Sequence, residues 1–349
     1  MTEAAGGRRQ AAGETDSGWI GADPKDDLDQ RLEAEEEPFD LHRPHVMTAL
    51  GPIEPGALGV TLPHEHVIAK PLDVGTDDPD LVLDDVHAAL AELEDFHNAG
   101  GRAILDATPS DYGRDVAAIA WIAARSLVHI ILITGHHKAL HAAPVVGDKT
   151  VDDVAADNVR ELTKGIDDTA TKAGAIKAGT SLNEIQPVEE TVLRAAARAH
   201  LATGAPITTH TDRGTMALEQ LAILREEGVE PRRVIVGHLD FRLDEAYLRS
   251  VLETGAFVSF DQISKTKYAP DETRAAMIKT LIEAGHGDQL VLSGDLARKS
   301  YLHAYGGEPG WVYLIERFPL LLMEAGLDAP TVRRLLVDNP ARALTIRRP

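Results

Sequence analysis

Short runs of apolar and β-branched residues alternate along this chain with longer segments of helical periodicity. Because the strand-like runs are almost continuously apolar, the alternation predicts a parallel sheet covered by helices. The predicted strands span residues 58–66, 102–108, 128–134, 174–179, 205–211, 233–239, 255–261 and 289–295. The predicted helices cover 82–96, which ends at the glycine pair 100–101, and then 188–203, 214–227, 243–254 and 271–285.

Eight such units predict a protein of the α/β class with a (β/α)₈ TIM barrel rather than an open doubly wound sheet. The dinucleotide-binding alternative is weakened because no Gly-x-Gly-x-x-Gly motif follows the first strand. Residues 1–45 are rich in alanine, glycine and charge, with few apolar residues, so we expect an acidic, disordered extension there. Residues 46–349 then form the barrel domain.

Composition limits the partners and the location. Acidic residues outnumber Lys and Arg by 56 to 35, and this net charge of −21 argues against a nucleic-acid partner. No apolar run approaches the roughly 18 residues of a membrane span, and the first residues lack the apolar core of a signal peptide. We therefore expect a cytoplasmic protein with no membrane contact. Among assemblies a homodimer is the expected one, because it is the commonest for soluble enzymes. The chain has no cysteine, so metal ligands must be histidine or carboxylate.

Potential metal ligands stand at the carboxyl ends of the predicted strands. The first strand ends in His64 and His66, which project to the same side of an extended chain while Glu65 turns away. His210, His238 and Asp295 end the fifth, sixth and eighth strands. All carboxyl ends of a barrel's strands meet at one mouth, where active sites are built. Imidazole and carboxylate together suit Zn²⁺, Mn²⁺ or Fe²⁺.

Lys177 ends the fourth strand and needs a separate explanation, because an ammonium group cannot bind a metal. A desolvated lysine loses its proton more readily, and the neutral amine can add CO₂ to form a carbamate. Such a carbamate can bridge two metals as an extended glutamate would. Taken in isolation, Lys177 is more readily interpreted as a lysine that pairs with a neighbouring carboxylate.

The order of these motifs resembles that of the phosphotriesterase family in the amidohydrolase superfamily. The resemblance runs from about residue 50 to the C-terminus and rests on LGVTLPHEH (58–66), IKAGT (176–180), TTHT (208–211), VGHLD (236–240), LSGD (292–295) and DNPAR (338–342). It implies a binuclear site in which His64, His66 and Asp295 hold one divalent ion. His210 and His238 would hold the other. Lys177 as N6-carboxylysine, together with a hydroxide, would bridge the two ions.

The same resemblance implies a metal-dependent hydrolase that acts on ester bonds, with Zn²⁺ as the expected metal and Mn²⁺ or Fe²⁺ as alternatives. The bridging hydroxide would attack an ester, lactone or phosphotriester, and Asp295 would act as the catalytic residue that passes its proton to the leaving group.

The loops after the seventh and eighth strands are expected to select the substrate. They carry Lys265, Lys267 and Tyr268, and then Arg298, Lys299 and Tyr301, which is an unusual number of cations for so acidic a chain. The pattern is similar to the family branch that hydrolyses phosphorylated sugar lactones (aldono-1,4-lactones), where the residues matching Lys267, Arg298 and Tyr301 hold the phosphate. Lys265 and Lys299 are secondary candidates because sequence neighbours do not face the same way.

Two other interpretations of the substrate site stay open. The cations could instead pair with surface acids, and the enzyme could then be an acyl-homoserine lactonase or a phosphotriesterase. A non-catalytic metal-containing binding protein is the third possibility. His136 and His137 end the third strand, where they could line the pocket.

Overall fold

The computed structural model describes residues 39–71 and 78–347. A small antiparallel hairpin, β1 (Val46–Thr48) and β2 (Gly51–Ile53), precedes the main sheet and was not predicted. Its strands are three residues long, and Gly51-Pro52 breaks the usual strand composition. The predicted extension lies outside the described residues up to position 38. His45 pairs with Ile346, so the chain contacts its own C-terminal region from that residue.

Eight parallel strands form the main sheet, and each pairs with its neighbours in chain order. This confirms all eight predicted strands and the (β/α)₈ barrel, although each strand is somewhat shorter or shifted. The strands are β3 (Thr61–Glu65), β4 (Ala103–Asp106), β5 (His129–Gly135), β6 (Ala175–Thr180), β7 (Ile207–Thr211), β8 (Val234–Val236), β9 (Phe257–Phe260) and β10 (Leu290–Leu292).

Hydrogen bonds at the mouth join the last strand region to the first. His64 N donates to Ser293 Oγ (3.1 Å), and Asp295 N donates to His64 O (3.1 Å). Inside the barrel the strands pack apolar side chains such as Leu105, Ile133 and Val291, all fully buried. The barrel interior is therefore a packed core, and only its mouth offers room for polar side chains.

Helices cover the outside of the barrel and continue beyond the last strand. They are α1 (Val86–Asn98), α2 (Val116–Ala123), α3 (Ala139–Val146), α4 (Val151–Thr163), α5 (Pro187–Thr203), α6 (Ala217–Glu226), α7 (Glu245–Glu253), α8 (Asp271–Leu281), α9 (Tyr313–Glu316), α10 (Phe318–Glu324), α11 (Ala329–Arg333) and α12 (Asn339–Leu344). None of those in the described ranges combines the length and apolar character that a membrane span requires.

The five predicted helices are confirmed as α1, α5, α6, α7 and α8, but the predicted start of the first was wrong. Val82 lies outside α1 because Leu83 forms a bridge with Ala69 in extended conformation. The helix begins after Asp85, whose carboxylate accepts hydrogen bonds from His87 N and Ala88 N. Such an N-cap contributes about 1 kcal/mol to helix stability.

Candidate active site

The predicted ligands of the first ion meet at the mouth of the barrel. His66 Nε2 lies 3.3 Å from Asp295 Oδ1, and His64 Nε2 lies 3.9 Å from the same oxygen. One ligand atom from each of the three residues lies within 4.8 Å of the others. Asp295 reaches this position in the left-handed region (φ 48°), which aspartate adopts more readily than most residues. The three side chains thus form a group that could hold a divalent ion.

The remaining predicted ligands lie beside this group. Lys177 is fully buried, and its Nζ lies 3.3 Å from His64 Nε2 and donates to Ala107 O (3.0 Å). The ring centroids of His210 and His238 are 4.5 Å apart, and those of His64 and His238 are 4.6 Å apart. His210 Nε2 is buried without a hydrogen-bond partner among the described residues. All six predicted ligands therefore line one cavity of about 170 Å³.

Burial shifts several of these groups towards the forms that bind metals. It lowers the pKa values of His64 and His210 well below their ordinary value, so both rings are neutral at pH 7. It also lowers the pKa of Lys177 to about 8, which leaves a usable fraction of neutral amine near physiological pH. Burial acts to raise the pKa of Asp295, but Lys265 and His66 outweigh it and hold that pKa well below the usual range.

Asp261, at the end of β9, is a site residue that the sequence analysis did not select. Its carboxylate is fully buried and accepts from His238 Nδ1 (2.8 Å) and His238 N (3.0 Å), while its second oxygen lies 3.6 Å from His64 Nδ1. With Nδ1 donating to Asp261, His238 presents Nε2 as its free ligand atom. The preceding Gly237 has no room for a side chain, because a Cβ there would lie 2.6 Å from Thr209 O.

Thr108 orients His66 in the same way. The Thr108 hydroxyl donates to Asp106 Oδ1 (2.6 Å), so its oxygen accepts a hydrogen bond from His66 Nδ1–H (2.8 Å). The Nε2 atom of His66 is then unprotonated and faces Asp295. Neither Thr108 nor Asp106 carried a signal in the sequence beyond its place at the end of a strand.

Glu65 turns away from the ligand side, as predicted, and has a structural role there. Its buried carboxylate accepts from Ser293 Oγ, Gly294 N, Leu296 N and Trp311 Nε1 at 2.6–3.1 Å. Burial raises the pKa of Glu65 to about 7. The residue between the two histidines thus ties β3 to the segment that carries Asp295.

Five of the predicted substrate residues line the same cavity, together with Tyr112 and His137: Lys265, Lys267, Tyr268, Arg298 and Tyr301. Lys267 Nζ donates to Tyr301 OH (2.8 Å) and lies 4.9 Å from the ring centre of Tyr268. Lys299 is not in the lining and instead pairs with Asp84 at 3.3 Å. His136 is buried and is likewise absent from the lining, with its Nδ1 3.7 Å from Asp111.

Lys265 and Arg298 are both paired with carboxylates. Lys265 Nζ is buried and donates to Asp295 Oδ2 (2.9 Å) and Asp295 O (2.6 Å). Lys265, predicted only as a secondary candidate, therefore contacts one of the predicted metal ligands directly. Arg298 pairs with Asp78 (2.7 Å) and Asp80 (3.2 Å) at the rim. The cation that has a neutral hydroxyl as its hydrogen-bond partner is therefore Lys267.

Comparison with known proteins gives a consistent result. The model of the phosphotriesterase family matches residues 44–344. A lactonase from Listeria monocytogenes superposes with a TM-score of 0.83 at 39% identity, covering 87% of this chain and 100% of that one. A phospho-furanose lactonase from Mycoplasmopsis agalactiae is 33% identical over 325 residues, 87% of this chain and 92% of the relative.

A third similar protein is the phosphotriesterase homology protein of Escherichia coli, whose crystal structure contains phosphate in the active site. It superposes with a TM-score of 0.80 at 36% identity, and the match covers 82% of this chain and 99% of that protein.

Proposed function

Since the chain belongs to the phosphotriesterase family, whose hydrolases act on esters and lactones, we propose that it is a binuclear metal-dependent lactonase for phosphorylated sugar 1,4-lactones. The observation that carries this proposal is the position of Lys267, Tyr301 and Arg298 on the rim of the cavity that the six predicted ligands line. A substrate whose ester group lies on those ligands would place an attached anionic group near these donors.

The donor set fits two divalent ions. His64, His66 and Asp295 would hold one ion, and His210 and His238 the other, with carboxylated Lys177 between them. The buried, unpartnered His210 Nε2 supports this assignment, because such an atom normally requires a partner. The lowered pKa of Lys177 supports carboxylation. Zn²⁺ suits the nitrogen-rich set best, with Mn²⁺ or Fe²⁺ as alternatives.

Two bound divalent ions would supply Lewis acidity, lowering the pKa of the attacking water and polarising the lactone carbonyl. Asp295 takes the proton of that water through its carboxylate and returns it to the ring oxygen that leaves. Lys265 fixes the carboxylate through contacts with Asp295 Oδ2 and Asp295 O, so the base cannot rotate out of line. Tyr112 and His137 also line the cavity.

The phosphate would be held at the rim. Lys267 contributes a charge whose hydrogen-bond partner is the Tyr301 hydroxyl, and that hydroxyl can itself bond to a phosphate oxygen. Arg298 adds a guanidinium suited to bidentate phosphate contacts once it turns from Asp78 and Asp80. The phosphate in the active site of the E. coli relative and the name of the Mycoplasmopsis relative favour this substrate class over acyl-homoserine lactones or phosphotriesters.

The test compares a 1,4-lactone 5-phosphate with the same lactone lacking the phosphate, using metal-loaded enzyme. We expect kcat/KM to be at least about 100-fold higher for the phosphorylated lactone. Lys267→Ala and Arg298→Ala should each lower that ratio of kcat/KM values roughly tenfold or more, and should leave kcat/KM for the unphosphorylated lactone unchanged. Lys299→Ala is the matched control, since Lys299 lies near the rim but outside the lining.

Equal rates on the two lactones would refute the phosphorylated substrate. A preference for acyl-homoserine lactones or for phosphotriesters would point to the other two activities considered above. No hydrolysis of any lactone by metal-loaded protein would instead favour a binding protein. A homodimeric assembly and a cytoplasmic location stay predictions, which sedimentation and cell fractionation would test.

A further inference from the structure

A second cavity, of about 750 Å³, lies at the opposite end of the barrel. Its lining includes Phe257, the first residue of β9, and Arg233, which immediately precedes β8. It also includes Gly204, which follows α5 and comes before β7. These residues stand at the amino ends of the strands, whereas the candidate active site stands at the carboxyl ends. The cavity is therefore separate from the catalytic mouth.

The lining is strongly basic in a chain that is acidic overall. Four arginines face a single lining carboxylate, that of Glu230, in a protein with 56 acidic and 35 basic residues. The four are Arg232, Arg233, Arg342 and Arg347. Like charges repel each other, so a cluster of this kind costs free energy unless an anion balances it.

Contacts among the residues that the structure describes neutralise only part of this charge. Arg232 pairs with Glu230, and Arg342 lies 3.8 Å from Asp288. Arg233 donates to two backbone carbonyls, Gly204 O (2.7 Å) and Thr345 O (2.9 Å).

Within residues 39–71 and 78–347, neither Arg233 nor Arg347 forms an ion pair with a carboxylate. Burial, with Arg347 and Arg232 close by, lowers the pKa of Arg233. At least two guanidinium groups are thus available to an incoming anion.

We propose that this cavity binds a small organic phosphate of nucleotide size. The volume is within the usual range for ligand sites, and guanidinium groups bind phosphate oxygens in bidentate fashion. Leu201 and Phe257 add an apolar wall that suits a ring or other apolar part of the ligand. The buried His200 donates Nδ1–H to Ala205 O, so its Nε2 is an acceptor for a ligand hydroxyl or amine. The proposal is independent of the reaction at the mouth.

Calorimetric titration of the full-length, metal-loaded protein in excess Mg²⁺ tests this directly. ADP should bind with one site per chain, inorganic pyrophosphate more weakly, and adenosine without detectable heat. Arg347→Glu and Arg232→Glu, both at exposed positions, should each weaken ADP binding roughly tenfold or more. Arg249→Glu, at a partly exposed position on α7 where Arg249 pairs with Glu245, is the control and should leave binding unchanged.

The variant Lys267→Ala separates this cavity from the mouth. Unchanged ADP affinity in Lys267→Ala, with loss in Arg347→Glu, supports the proposal. The reverse pattern would show that the nucleotide binds at the mouth and would overturn it. Equal binding of adenosine and ADP would also overturn it, because the arginines would then contribute nothing. Absence of binding by ADP and by pyrophosphate would do the same.

Discussion

Replacing Asp261 by Asn should weaken the binding of the ion that we propose His210 and His238 hold, while leaving the fold intact. The two side chains have the same shape, and the asparagine oxygen can keep the contacts to His238 Nδ1 (2.8 Å) and His238 N (3.0 Å). What disappears is the negative charge that fixes the proton on Nδ1 and makes Nε2 a stronger ligand. The new amide also faces His64 Nδ1, 3.6 Å from the present oxygen.

Loss of such an outer partner weakens metal binding by roughly 10- to 100-fold, equivalent to about 1.4–2.7 kcal/mol. The assay is a titration of metal-free protein with Zn²⁺ against a competing chelating dye, which resolves the two affinities. We expect the larger of the two dissociation constants, that of the more weakly bound ion, to rise by that factor. Thermal unfolding of the metal-free variant should stay within a few degrees of the wild type, because each 1 kcal/mol shifts Tm by only about 2–4 °C in a chain of this size.

Asp271→Asn is the matched control for this experiment. Asp271 is also a buried carboxylate, but it pairs with Arg274 (2.9 Å) and is not part of the cavity lining. It should lose stability and keep both metal affinities. The reasoning about Asp261 is refuted if its asparagine variant binds both ions as tightly as the wild type, or if the control loses metal to the same extent.

Three further predictions concern other parts of the molecule. In the folded chain the pKa of Lys177 is lowered to about 8, whereas in the unfolded chain the lysine keeps its proton up to about pH 10.4. The free energy of unfolding of the metal-free protein should therefore increase as the pH rises between those two values, by at most about 1.4 kcal/mol per pH unit. Lys177→Met should abolish this pH dependence in denaturant titrations. Thr108→Val removes the acceptor of His66 Nδ1–H and should weaken Zn²⁺ binding roughly tenfold in the dye titration, whereas unchanged affinity would contradict the assigned tautomer. Arg114→Met leaves the buried Glu161 carboxylate, now 2.9 Å from the guanidinium, unpaired and should cost about 3–5 kcal/mol of unfolding free energy. The double variant with Glu161→Met should recover part of that loss, and a double variant as unstable as the single one would contradict this.

The sequence was sufficient to predict the barrel and the six residues that line the cavity at its mouth, because both depend on local patterns. Alternating apolar runs and helical stripes identify strands and helices, and a ligand at the end of a strand needs only the barrel to bring it to the mouth. For this reason the sequence alone predicts that His64, His210 and Asp295, which are far apart in the chain, lie close together.

Residues that act through contacts between distant loops could not be found in this way. Asp261 reaches two histidines from β3 and the loop after β8, and no spacing rule links these positions. Lys265 was ranked below Lys267 by an alternation rule that holds in strands. The chain leaves β9 in a series of turns, with Ser264 in the left-handed region (φ 75°), so the rule does not apply and both lysines face the cavity.

Elemental analysis of the purified protein after gel filtration tests the central claim, that six side chains at the mouth hold two divalent ions. We expect about two equivalents of divalent metal per chain. His210→Asn should retain about one, since it removes a single ligand of the second ion. A wild-type protein without bound metal, even after incubation with Zn²⁺ and bicarbonate, would contradict the account.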